Sequence, residues 1–141
     1  QPRGRPRSKH PAALLLIEPN SDHFQDDYFR RYQCCFNHYY NLFCVIDQLD
    51  IAEEDKNTLK LFFGREINDV LGNEDAQRFE KHEPATGWLD KLKRAGFNIC
   101  TETMTLPPSG EYGVEIKQHP EGFVGFTFGD ETVLAVICAN A

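Results

Sequence analysis

The sequence predicts the C-terminal half of an open α/β sheet, finished by an antiparallel meander. Three observations predict it. A short continuous apolar run stands near the start, three stretches of helical periodicity follow, and the last third alternates apolar and polar residues between turn-formers.

The elements follow in order. Residues 1–11 are rich in Pro, Gly and Arg and read as a basic linker or tail. "AALLLIEPN" comes next; an apolar run stopped by Pro19 and Asn20 suits a strand buried on both faces, as in a parallel sheet. From Ser21 to Asp50, Phe29, Tyr32, Phe36, Tyr39 or Tyr40, Phe43 and Ile46 recur every three or four residues. That spacing predicts a long amphipathic helix with acidic residues in its first turn. "DIAE" at 50–53 has the form that caps a second helix, in which Leu59, Phe62, Phe63, Ile67, Val70 and Leu71 make the apolar stripe and Gly72 the end. A third helix lies near "ATGWLDKLKRAGF": Trp88, Leu92 and Ala95 face inward and Gly96 is the residue beyond its end. Residues 97–103 suit a strand. "YGVEIKQ", "GFVGFTF" and "TVLAVICA" form the meander, with "HPE" and "GDE" as tight turns.

The net charge of −7 is unevenly spread: Arg3, Arg5, Arg7 and Lys9 carry +4, leaving −11 on the other 131 residues. So acidic a body repels a phosphate backbone, and only the tail suits nucleic acid. Within that tail "PRGRP" has the form of a minor-groove clamp, with Arg3 and Arg5 as the contacts. No apolar run is long enough to span a bilayer. The five cysteines (Cys34, Cys35, Cys44, Cys100, Cys138) lack a C-x-x-C pair and read as buried free thiols in a reducing compartment. The chain starts at Gln1 rather than Met, which suggests a cut or processed piece.

Two segments carry a family resemblance. "EPNSDHFQDDYFRRYQCCFNHYYNLF", "IDQLD" and "FFGREI" resemble the PFYRE region of plant GRAS-domain proteins, and "RFEKHEPATGWLDKLKRAGF" resembles the start of their SAW region. Arg65–Glu66, Arg78 with Glu83, His82, and Trp88 with Gly96 occupy the motif positions. The division that follows is PFYRE-like over about 12–72 and SAW-like over about 73–141. The places of the family's two closing tryptophans hold Phe128 and "ICANA", so the end is divergent or clipped. The resemblance implies a Rossmann-like, methyltransferase-type core. It also implies a nuclear plant regulator of transcription that binds transcription factors, co-regulators or another GRAS protein. Bacterial relatives point instead to a cytoplasmic S-adenosylmethionine-dependent methyltransferase. That cofactor sits on a glycine-rich turn after a first strand; these residues hold no G-x-G-x-G, so no cofactor is expected on this part.

Each candidate site has a plainer structural reading. Arg65, Glu66, Arg78, His82 and Glu83 suit either a polar site or an ion network, and the network expectation is that Arg65 or Arg78 pairs with Glu66 or Glu83. Glu18 and Asn20 end the first strand, where α/β folds place ligand residues, yet Pro19 and Asn20 also simply stop a strand. Cys35-x-x-His38 lacks the second ligand pair a zinc site needs and reads as core. His82 beside Glu83 has the makings of an acid–base pair but no accompanying nucleophile. Trp88 reads as a packing anchor. The Phe29–Phe43 stripe reads as core or helix interface, since only Arg30 and Arg31 interrupt it with positive charge.

Overall fold

In the computed structural model, which describes residues 13–101 and 105–140, the apolar run forms β1 (Leu14–Pro19). Then come α1 (Tyr28–Gln48), α2 (Glu53–Gly72), α3 (Ala85–Arg94), β2 (Asn98–Ile99), β3 (Val114–His119), β4 (Phe123–Phe128) and β5 (Glu131–Asn140). The sheet order is β1-β5-β4-β3, every pair antiparallel, and β2 pairs with the far end of β5. The meander stands as expected: Pro120 to Gly122 and Gly129–Asp130 make its turns. Of the strand expected over 97–103, Asn98–Ile99 form β2 among the described residues.

α3 covers one face of the sheet. Ala85, Leu89 and Leu92 pack on Phe123, Ala135, Ile137 and Ala139, with Leu14, Leu16 and Trp88 at the margin. Leu89, Leu92, Phe123 and Ile137 each contribute about 1.5–3 kcal/mol through this burial. Ala95, expected inward, is exposed, because the helix ends at Arg94 and Gly96 turns the chain away at φ +89°.

The other face is only partly covered, which corrects the reading of β1 as a strand buried on both sides. β1 runs antiparallel to β5, and Leu15 and Ile17 stand 60 % and 54 % exposed. Alternation puts Leu14 and Leu16 under α3 and leaves the other two without a covering helix among the described residues.

α1 and α2 pack on each other around Cys35, Tyr39 and Val70. The buried arc of α1 is Arg31, Cys35, His38, Tyr39 and Ile46; Phe29, Tyr32, Phe36 and Tyr40 are exposed. The expected stripe is therefore rotated about the helix axis. Asp27 caps α1, accepting from Phe29 N at 3.0 Å and Arg30 N at 3.1 Å, so the acidic residues precede the first turn. Asp50 does not cap α2. That helix starts after Ala52 without a side-chain cap, and Glu53, Glu54 and Asp55 in the first turn meet its dipole instead.

Gly122 has φ +114°, and an added Cβ would lie 2.7 Å from Ile99 Cγ2. Gly64 is mid-helix with nothing within 4 Å. Gly122→Ala is expected to cost about 1–3 kcal/mol in urea unfolding, while Gly64→Ala gains about 1 kcal/mol. Equal effects at the two sites would contradict these backbone assignments.

Candidate functional site

Beyond the end of β1 the chain enters a polar junction. Asn20 Nδ2 donates to Thr132 O at 3.1 Å, and its Oδ1 accepts from Ala85 N at 2.8 Å. It thereby satisfies the first amide of α3 and ties that helix to β5. His23, wholly buried, donates its amide to His82 O at 2.9 Å. Its ring nitrogens lie 2.9 Å from Ser21 Oγ and 3.0 Å from His82 Nδ1. His82 Nε2 lies 3.1 Å from a Glu80 carboxylate oxygen. The result is a continuous line of polar atoms, Ser21–His23–His82–Glu80.

Ser21 Oγ also donates to Cys34 O at 3.3 Å, which ties this end of the line to α1, while the Glu80 carboxylate is an acceptor at the other end. Burial, then the neighbouring His38 and His82, lower His23 to about 3; burial and His82 lower His38 to about 4. Hydroxyl, imidazole and orienting partner are the parts of an activated nucleophile. Here, however, Ser21 and His23 are 6 % and 0 % exposed, so the hydroxyl has no open approach for a substrate, and the line acts as a clamp.

Arg78 locks it. Its side chain is fully buried and donates to His23 O and to Asp75. That bond from Arg78, the largest influence, holds the Asp75 carboxyl below its ordinary value. Asp69 accepts from Phe79 N at 2.8 Å, Glu80 N at 2.7 Å and Asn73 Nδ2 at 2.7 Å. Burial raises its carboxyl, but those bonds outweigh burial and leave it lowered.

The ion network therefore differs from the expected one. Arg78 pairs with Asp75, three residues away in a single 3₁₀ turn, and Glu83 pairs with Lys91. Glu66 accepts from Tyr39 Oη at 2.9 Å; burial, then this bond, push the Tyr39 hydroxyl upward. Arg65 is exposed in a shallow cleft beside Phe62, Asp69 and Phe79. Trp88 is half-buried against the α3 core with Lys91 Nζ 5.0 Å from its ring centre. Glu18 is half-buried on β1. Of the five cysteines Cys35 alone is fully buried; burial, then Cys34, push its thiol to about 11. Among the described residues no group of three or more His, Cys, Asp or Glu could hold a metal. Arg3 and Arg5 lie outside the described residues. The sequence reading missed Ser21, His23 and Asp69; a polar triplet straight after an apolar strand was the available signal.

Residues 5–105 match the GRAS domain family. The chain belongs to the GRAS family. Among similar proteins, Protein SLENDER RICE1-LIKE 1 of Oryza sativa subsp. japonica is 30 % identical over 92 residues, 64 % of this chain and 19 % of that protein. Scarecrow-like protein 3 of Arabidopsis thaliana is 26 % identical over 132 residues, 91 % of this chain and 26 % of its own. The chain thus spans about a fifth to a quarter of the length of these relatives. The crystal structure of SCL7 from Oryza sativa matches with TM-score 0.71 at 18 % identity, over 92 % of this chain and 39 % of that one. The GRAS fold here is accordingly the α/β, methyltransferase-like one.

At the end of β1 both polar ends of the Asn20 amide are already bonded, so this residue serves the α3–β5 junction.

Acid should loosen this GRAS junction. His23 and His38 are neutral when folded but protonate near 6.5 when unfolded, so the unfolded state binds more protons below that pH. Stability is fully present above 6.5 and falls as pH drops towards about 4 and 3, by on the order of 2 kcal/mol for each imidazole at pH 5. Urea unfolding at pH 7 and pH 5 checks this; equal midpoints would contradict a neutral buried cluster.

Proposed function

We propose that this chain is part of a nuclear regulator of transcription that works by binding other proteins, either transcription factors, co-regulators or another GRAS protein. The observation that carries the reading is the outer face of α1. Phe29, Phe36 and Tyr40 are 69 %, 56 % and 58 % exposed, and Phe36 stacks on Tyr40 with ring centres 5.7 Å apart. Beside them Tyr32, Phe43, Ile67 and Leu71 line an apolar groove of about 290 Å³. Aromatic clusters of this kind concentrate binding energy at protein interfaces, and monomers rarely leave such patches in water. The acidic body suits a protein partner better than a phosphate backbone. The rival reading, methyl transfer from S-adenosylmethionine, would need a glycine-rich turn that these residues do not carry.

Phe36→Asp with Tyr40→Asp in the complete protein tests the reading. The expected result is an unchanged circular dichroism spectrum, at least 100-fold weaker binding across a panel of GRAS and transcription-factor partners, and loss of reporter output. Unchanged binding and output would overturn the assignment. Unfolding of the complete protein would overturn it too, by placing α1's outer face inside its own domain.

A further inference from the structure

A second cavity, of about 270 Å³, lies between the helix pair and the sheet. Its wall is mostly apolar: Pro19, Leu42, Val45, Phe63, Phe126 and Leu134. Two polar side chains, His38 and Glu66, also line it. His38 is 3 % exposed, and its buried Nδ1 has no hydrogen-bond partner. An orphaned buried ring nitrogen of this kind is an unmet hydrogen-bonding demand. Glu66 accepts from Tyr39 Oη, and no cation pairs with it among the described residues. An apolar chamber with a few convergent polar groups is the usual form of a small-molecule site.

We propose that this cavity binds a compact apolar molecule whose head is a hydrogen-bond donor, an alcohol or an amine, held between the His38 imidazole and the Glu66 carboxylate. The site needs a donor because a carboxylate offers only acceptor atoms and a neutral imidazole keeps one acceptor nitrogen. A carboxylic acid of the same shape is repelled, since ionised it would set a second negative charge beside Glu66 without a cation to offset either. The volume sets the apolar body: it is nearly twice the roughly 150 Å³ of an engineered cavity that holds benzene, which suits a two-ring hydrocarbon. The site stands apart from the aromatic face. That face uses the outer side of α1, whereas His38, Leu42 and Val45 project from its inner side.

The probes are 2-naphthylmethanol, 2-naphthylmethylamine and 2-naphthoate, titrated into the complete protein while the histidine ring resonances are followed by NMR. The expected result is saturable submillimolar binding of the alcohol and the amine with a shift at His38, and at least tenfold weaker binding of the naphthoate. Glu66→Gln keeps an acceptor for Tyr39 and should weaken the amine at least tenfold while changing the alcohol less. Val45→Phe fills the chamber and should abolish both with the circular dichroism spectrum unchanged. Three results would overturn the proposal: no probe binding at millimolar concentration, which includes a cavity already filled by the protein's own chain; equal affinity for the naphthoate; or binding that survives Val45→Phe.

Discussion

One buried imidazole joins stretches of chain that lie more than fifty residues apart. His23 bonds through its amide to His82 O, through its carbonyl to Arg78, and through its ring to Ser21 and His82. In a low-dielectric interior such bonds strengthen, and any one left open exposes an unpaired polar group. Arg78 has a fully buried side chain, so losing an acceptor there leaves its charge short of a partner in the interior. The junction fixes where the chain leaves β1 and where it enters α3. With Asn20 bridging Ala85 and Thr132, it also fixes the height of α3 above β5.

From that junction the two faces of the sheet diverge. The α3 face is sealed by small and aliphatic residues in contact. The opposite face receives α1 at an angle set by the α1–α2 core of Cys35, Tyr39 and Val70. That core turns the aromatic arc of α1 to the outside and holds His38 above the sheet, leaving the chamber beneath it. A surface suited to another protein and a cavity suited to a small molecule thus come from one cause, the rotation of α1.

The local features were legible in the sequence. Period-two alternation and turn-formers gave β3, β4 and β5, Gly96 marked the end of α3, and "FFGREI" with "RFEKHEPATGWLDKLKRAGF" carried the family. What was not legible depends on distant partners. α1 bears aromatic residues around most of its circumference, so periodicity alone does not say which arc is buried; α2 and the His23 junction decide it. The direction of β1 depends on β5, more than a hundred residues away. Arg78 chose Asp75 over the glutamates because a 3₁₀ turn brings residues three apart together. Of the candidate site residues, Asn20, Arg78 and His82 fell inside the junction, while Arg65 stands at the surface. Ser21 and His23 escaped notice because nothing in "SDH" shows that it is buried.

The most direct test of the His23 junction is a long-range ¹H–¹⁵N correlation spectrum of the histidine side chains at pH 6. The geometry predicts a neutral His23 ring at that pH, buried between Ser21 and His82. A His23 ring that titrates like a solvated imidazole near 6.5 would contradict the account.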